Sequence, residues 1–327
     1  MLDDAIRMLT TPTPLRDPVL IAAFQGGGSL TPGVVAGLFE RYEPEPIAEI
    51  DSDEFYDFTV VRPLARLVDG EREIAWPQIR FSKVALEDRD IVVLSAIEPN
   101  VGWRRMARAI HEISSAFGIR EAILLSSFTG ATPHTRPIPV QWLAVSRDVP
   151  ARFGRVARRP RYQGPATFSM ALGAMLRDEG FTVGTLNAIA PFYLGVEPNP
   201  FAIRALARAL ETEFAVRFDL DEVERQIAEI ERQAGAQREN SQHLRMFIAN
   251  LEQQYDEMQG HVDDDAEHVE GIDAASTSDG SQPFGAALPE TDRVLADVEA
   301  LLRGNLGNRG GEASDGAGEG AGGSRTS

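Results

Sequence analysis

Four short segments of the chain are almost continuously apolar and are bounded by turn residues: 19–24, 91–97, 122–128 and 182–190. A strand with one solvated face alternates apolar and polar residues, whereas a strand buried on both faces is apolar throughout, as in a parallel sheet covered by helices. Segments with helical spacing lie between them, and one of these segments repeats at 3-4-3-4 intervals through Trp103, Met106, Ile110, Ile113 and Phe117. This alternation predicts a three-layer α/β/α sandwich.

One stretch interrupts the alternation, because residues 55–86 read as β structure only. Within it, Asp69-Gly70 is a two-residue turn signal between two strand-like segments, which predicts a β-hairpin. We therefore expect a mixed, mostly parallel sheet with an antiparallel excursion near one edge.

The chain changes character after residue 217, where charged helical segments replace the α/β pattern. Two apolar stripes in 219–259, separated by the polar stretch 235–242, predict two antiparallel helices. We divide the chain into six parts: an N-terminal extension (1–16), an α/β/α domain (17–217), a helical hairpin (218–260), an acidic disordered linker (261–288), a short amphipathic helix (289–303) and a disordered tail (304–327).

Composition excludes several classes of function. The chain has no cysteine, so thiolate nucleophiles and cysteine-based metal sites are absent, and no His/Asp/Glu spacing suggests a metal site. The net charge is −18, of which residues 261–327 supply −10 (14 acidic residues and 4 arginines), so no basic face favours nucleic acid. No signal peptide or membrane-length apolar run occurs, which leads us to expect a cytoplasmic protein with no membrane partner. Lys83 is the only lysine and no P-loop is present, so we predict no cofactor.

Polar residues follow three of the buried strands, at the edge where open α/β sheets bind ligands. The first strand leads into a glycine turn, the second into "EPNVGWR" and the third into "PHTRPIPV". The candidate binding residues of this crevice are Gln25, Gly26, Glu98, Asn100, Trp103, Arg104, His134 and Arg136. We assign no catalytic residue, because no serine lies in a nucleophile elbow.

Each candidate has a functional and a purely structural interpretation. The Gly26 turn could bind an anion through its backbone N–H groups, or it could simply connect the strand to the helix that follows. Glu98 could be a general base or could tie down its turn, with Asn100 capping the helix that follows. His134 and Arg136 could bind a ligand or order their proline-stiffened loop, and the arginine-rich segment 152–161 could dock an anion or be solvated.

The ordered set of segments "VLIAAFQGGGS", "EIDSDEFYDFTVVRP", "REIAWPQIRFS", "VVLSAIEPNVGWR", "PHTRPIPV", "RYQGPATF" and "LEQQYDE" resembles the proteasome assembly chaperone 2 family, most closely its actinobacterial-type branch. The resemblance covers roughly residues 17–303. It implies a phosphorylase/hydrolase-like sandwich with a helical appendage, and relatives that help to assemble the proteasome α-ring.

The chain also departs from the family pattern. Some relatives dock through a C-terminal hydrophobic–Tyr–any-residue tail, whereas this chain ends in "GGSRTS", so we expect that device to be absent. The family's usual Trp-Asn-Asp run is replaced by Gly27-Gly28-Ser29. Other members are described as ATP-dependent carboxylate–amine ligases, an activity that a single strand lysine disfavours.

Two function hypotheses follow. The first is a non-enzymatic, chaperone-like protein that works through an unidentified protein partner and self-associates as a trimer or dimer, with the helical hairpin as its contact surface. The second is a small-molecule (nucleotide or phosphate) binding protein or an enzyme of the phosphorylase/hydrolase type. In either case we expect Arg136 to pair with Glu98 if the loops converge, and limited proteolysis to trim residues 263–288 and 304–327.

Overall fold

The computed structural model describes residues 3–25, 31–146 and 162–264. The glycine turn that begins at Gly26, the arginine-rich segment 152–161, the predicted helix 289–303 and the tail 304–327 lie outside these residues. So does the linker beyond residue 264.

The main sheet has eight strands in the order β1-β3-β6-β7-β2-β8-β10-β9. These strands are β1 (Ile6–Met8), β2 (Val19–Gln25), β3 (Glu45–Ile50), β6 (Ile79–Ala85), β7 (Asp90–Ile97), β8 (Glu121–Gly130), β9 (Val140–Ala144) and β10 (Thr182–Pro191). The four central strands β7, β2, β8 and β10 are mutually parallel, and they coincide with the four apolar segments. The remaining neighbours pair antiparallel, so the predicted mixed sheet is confirmed.

Helices cover both faces of this sheet, which confirms the α/β/α sandwich. The helices are α1 (Thr31–Arg41), α2 (Trp103–Ala116), α3 (Phe168–Asp178), α4 (Pro200–Phe214), α5 (Asp221–Asn240) and α6 (Gln242–Asp264). Odd-numbered residues of β2 join a core with α1, α4 and α5, which we call the α4 face. Even-numbered residues of β2 join a second core with α2 and α3, which we call the α2 face. The two cores are thus the two sides of the strand pleat.

A two-stranded hairpin, β4 (Leu64–Val68) and β5 (Glu71–Ala75), forms a sheet of its own. The predicted turn is confirmed, because Asp69 and Gly70 both adopt positive φ, +52° and +86°, as a tight hairpin turn requires. The expectation that residues 55–86 are all β structure is wrong. Residues 55–63 form turns and loops before the hairpin, and of the strands in this range only β6 joins the main sheet.

The two C-terminal helices are present, but the boundary between them differs from the prediction. The stretch 235–240 is helical, and Ser241 alone interrupts the two helices with an extended backbone. Their apolar residues are largely buried: Val223, Ile227, Ile230 and Leu251 join the core of the α4 face. The helices are therefore packed on the domain. Burial against the domain accounts for these stripes, so they give no separate support to the expected self-association, which stays a prediction. None of the helices in the described ranges is long and apolar enough to cross a membrane.

One helix has an asparagine cap and another does not. Asn199 caps α4, with its side chain accepting from the backbone N–H of Phe201 and Ala202. Asn100 does not cap α2, because that helix begins at Trp103 and its N-cap is Gly102 in the left-handed conformation. A β-carbon at Gly102 would lie 3.0 Å from the ring of Phe55, so glycine suits both the backbone and the space.

Candidate functional site

The parallel strands β2, β7, β8 and β10 end at one edge of the sheet, at Gln25, Ile97, Gly130 and Pro191. The loops after β7, β8 and β10 carry the candidate residues and the residues that contact them. This is the edge at which open α/β sheets bind their ligands. The residues lie at the strand ends as expected, and their role in binding stays a prediction.

His134 lies in the loop after β8 and is only 5% exposed. Its backbone N–H donates to the hydroxyl oxygen of Tyr193 at 2.8 Å, and its Nδ1 lies 2.6 Å from the same oxygen. The rings of Tyr193 and Phe201 pack edge-on against the imidazole. His134 is therefore held on three sides by groups of the α4 face.

Burial sets the protonation of this pair. It lowers the pKa of His134 from 6.5 to about 4, helped by the positive charge of Arg238, while Glu252 acts in the opposite direction. Burial also raises the pKa of the Tyr193 hydroxyl. Both side chains are thus neutral near pH 7, and the hydroxyl of Tyr193 joins the backbone and the ring of His134 in one short network.

The neighbouring residues of the loop bind helix α6. Arg136 makes a bidentate pair with Asp256, with Nε to Oδ1 at 2.8 Å and an η nitrogen to Oδ2 at 2.7 Å. The Arg136 guanidinium lowers the pKa of Asp256 in return. Thr135 donates to Glu252 at 2.5 Å, and the hydroxyl of Tyr255 donates to a backbone carbonyl of the same loop, that of Pro137, at 2.8 Å. Three successive residues of the loop, Thr135, Arg136 and Pro137, therefore bind one face of α6.

The expected pairing of Arg136 with Glu98 is wrong. Glu98 lies on the α2 face, where its Oε1 accepts from the backbone N–H of Phe168, the first residue of α3. Thr167 caps the same helix through the N–H of Met170 at 3.3 Å. The two loops leave the sheet edge toward opposite faces, so the carboxylate of Glu98 serves a helix N-terminus, which favours negative charge.

The other candidates near Glu98 also have structural partners. Asn100 accepts from the backbone N–H of Asp57 at 3.0 Å, and Trp103 donates to the carbonyl of Pro99 at 2.7 Å. Arg104 is exposed. Gln25 is the last residue of β2, and Gly26 lies outside the described residues. The crevice residues are thus divided between two faces of the sheet.

A cleft of about 360 Å³ remains beside the loop, between α4 and α5. Its lining includes His134, Arg136, Arg204 and Glu231. The two arginines are each paired with a carboxylate, Arg136 with Asp256 and Arg204 with Glu224 at 3.0 Å. The cleft therefore offers little free positive charge to a nucleotide or phosphate, and no group of metal-ligating residues occurs in the described part of the chain.

The sequence reasoning missed the residues that organise this site: Tyr193, Glu252, Tyr255 and Asp256. The segment "LEQQYDE" (251–257) was nevertheless one of the segments that carry the family resemblance, as was "PHTRPIPV". The structure brings these two segments into direct contact.

The PAC2 family model matches residues 20–238 of this chain. A search of curated proteins found no match. Among solved structures, the chain is similar to a PAC2 family protein from Streptomyces avermitilis, with 30% sequence identity and a TM-score of 0.62, covering 71% of this chain and 99% of that one.

Two further actinobacterial structures are similar. A Mycobacterium tuberculosis proteasome-assembly chaperone homologue is 31% identical with a TM-score of 0.61, covering 70% of this chain and 99% of that one. A Corynebacterium glutamicum protein of unknown function is 25% identical with a TM-score of 0.70, covering 79% and 99%. The fold is also shared with a Pyrococcus furiosus archaeal proteasome activator, at 17% identity and a TM-score of 0.57.

Proposed function

Because the chain belongs to the PAC2 family, we propose that it is a non-enzymatic, assembly-chaperone-like protein that acts through contacts with other proteins. The proposal includes a cytoplasmic location and self-association as a dimer or trimer. It also includes a protein partner, and proteasome subunits are the first to test because one relative at 31% identity is a proteasome-assembly chaperone homologue.

One observation carries the proposal: the polar side chains at the carboxyl edge of the sheet are used to hold the fold together. Glu98 caps α3, His134 is locked to Tyr193, and Arg136 is paired with Asp256. A catalytic acid, base or nucleophile must instead be free to meet a substrate atom at hydrogen-bonding distance. This arrangement suits a rigid protein whose outer surface contacts other proteins.

Electrostatics point the same way. A general base works best with a pKa near the operating pH. Burial takes the pKa of His134 to about 4, and its hydrogen-bond partner is a protonated phenol that cannot orient it as a carboxylate would. The pair therefore lacks the acceptor that normally activates a histidine.

Native mass spectrometry of the full chain, purified from its own host, tests the proposal. We expect complexes with a second polypeptide and no stoichiometric small-molecule adduct. A nucleotide or phosphate adduct that persists at one per chain would overturn the proposal. It would favour the alternative hypothesis, a small-molecule binding protein or an enzyme. The partner is tested separately by mixing the chain with purified proteasome α-type subunits of the same host and comparing the rate of ring assembly with and without it.

A further inference from the structure

The contacts of Tyr193 fix which ring nitrogen of His134 carries its proton. The hydroxyl of Tyr193 accepts from the backbone N–H of His134 at 2.8 Å. Among the described contacts, the Nδ1 atom of His134, at 2.6 Å, is the only acceptor within reach of the hydroxyl proton. The hydroxyl therefore donates to Nδ1. Because burial keeps the ring neutral, with a pKa of about 4, its single proton lies on the other nitrogen, Nε2.

The Nε2–H group of His134 faces the cleft between α4 and α5. Within the described ranges this nitrogen has no hydrogen-bond partner, and it is not one of the buried side-chain atoms that lack a partner. Since His134 lines the cleft of about 360 Å³, the accessible part of its ring lies there. Near pH 7 this atom can donate a hydrogen bond but cannot take up a proton, so it suits binding and not base catalysis.

The rest of the cleft is largely apolar. Its walls include Pro137, Ile138, Phe201 and Ala205. The guanidinium of Arg204 lies over the ring of Phe201, 5.8 Å from its centroid. Ligand pockets run from about 300 to 1,000 Å³, and a cleft of about 360 Å³ lies at the small end of that range. It therefore accommodates a short segment more readily than a whole cofactor.

The charge that remains in the cleft is negative. Both of its arginines are paired with carboxylates. By contrast, Glu231 on α5 has no ion-pair partner among the residues that the structure describes. Two charges beyond the lining, those of Arg238 and Glu252, act on His134 in opposite directions and offset each other. The cleft thus matches a ligand that has an uncharged acceptor and a positive charge.

We propose that this cleft binds a basic peptide segment of a partner protein, with a backbone carbonyl on Nε2–H of His134 and a lysine or arginine near Glu231. The inference rests on the proposed function, because it names the place at which a partner chain binds. A peptide supplies both groups: each residue has a neutral carbonyl acceptor, and apolar walls suit the methylene stem of a basic side chain. A chain of net charge −18 also attracts a basic segment over longer distances.

Fluorescence anisotropy of the full chain at low ionic strength tests the proposal with two pools of labelled, N-acetylated hexapeptide amides. The pools contain only uncharged residues except at one fixed position, which is Lys in one pool and Glu in the other. We expect the Lys pool to bind at least about fivefold more tightly. Glu231→Gln should remove most of this preference and Glu231→Lys should reverse it. Glu239→Gln is the matched control, since Glu239 is exposed on the same helix outside the cleft lining.

Two further measurements address the donor. His134→Asn should weaken the binding of both pools by about fivefold, because it removes one neutral hydrogen bond, and should leave the preference for Lys unchanged. Nitrogen-15 spectra of the histidine side chains, with His134→Asn identifying the signal, should show the proton of His134 on Nε2. That signal should shift when the Lys pool is added.

Several results would overturn the proposal: no binding of the Lys pool at about 1 mM, equal binding of the two pools, no effect of Glu231→Gln, or a proton on Nδ1 of His134. N-acetyl-lysinamide tests the other source of the same chemistry. Binding as tight as that of the Lys pool would mean that the cleft takes a free amine and would also overturn the proposal. A polypeptide that co-purifies with a chain that fails these tests would leave the proposed function standing, with its contact elsewhere on the surface.

Discussion

The buried pair of His134 and Tyr193 makes the stability of this protein depend on pH below neutrality. The folded chain holds His134 neutral, with a pKa of about 4, whereas the unfolded chain has an ordinary histidine pKa of 6.5. Above pH 6.5 neither state binds a proton at this ring. Between pH 6.5 and 4 the unfolded state binds one and the folded state does not, so the free energy of unfolding falls as the pH falls.

The magnitude follows from the difference in pKa. A difference of about 2.5 units, at about 1.4 kcal/mol per unit, gives a loss of up to about 3.5 kcal/mol across this range. His134 is 5% exposed, so solvent screens this effect little. The substitution His134→Asn removes the titration and keeps a polar atom near the position of Nδ1. It also loses ring packing against Phe201, which we expect to cost about 1–2 kcal/mol at pH 7.

Urea denaturation of wild type and His134→Asn from pH 4 to pH 8 measures both quantities. Wild type should be the more stable near pH 7, and the difference should shrink and reverse as the pH approaches 4. Met246→Asn, at an exposed position of α6, serves as the control and should follow the pH profile of wild type. If the profile of His134→Asn runs parallel to that of wild type throughout, burial does not hold His134 neutral in the folded chain.

Three further experiments test the other contacts. Glu98→Ala should destabilise the protein by about 1 kcal/mol by uncapping α3, measured by thermal unfolding, and no loss would mean that the cap is dispensable. Leu251→Ala should cost about 2–4 kcal/mol in urea because Leu251 is buried in the core, while the exposed Met246→Ala should cost almost nothing. Arg136→Ala and Asp256→Ala should each speed hydrogen exchange in α6, and the double variant should add little to either; additive effects would show that the two side chains act independently.

The sheet could be predicted largely because its central strands are apolar throughout, without the alternation of apolar and polar residues that a half-exposed strand shows. Burial on both faces removes the polar positions, and four such segments located four neighbouring parallel strands. The short edge strands carry no such signal. Strand β1 has three residues, and β3 begins with Glu45 and Pro46, so their pairing depends on partners that only the fold supplies.

The candidate site was only half predictable. Parallel strands end at a shared edge of the sheet, which predicted that Glu98 and His134 lie at the same edge. It did not predict the face of the sheet toward which each loop turns. Successive strand residues point to opposite faces, so a shift of one residue where a strand ends sends a side chain to the other core. The partner of Arg136 lies 120 residues away, a separation at which a single sequence gives no pairing information.

The contact between the "PHTRPIPV" loop and α6 bears on where the folded unit ends. The family match stops at residue 238, before α6 begins at Gln242. Yet α6 supplies Leu251 to the core of the α4 face and Tyr255 and Asp256 to the loop. A chain cut at residue 238 would expose the inner face of α5 and leave Arg136 without its carboxylate. We therefore expect the smallest stable unit to include α6 at least through Asp256, so that the helical hairpin is part of the scaffold.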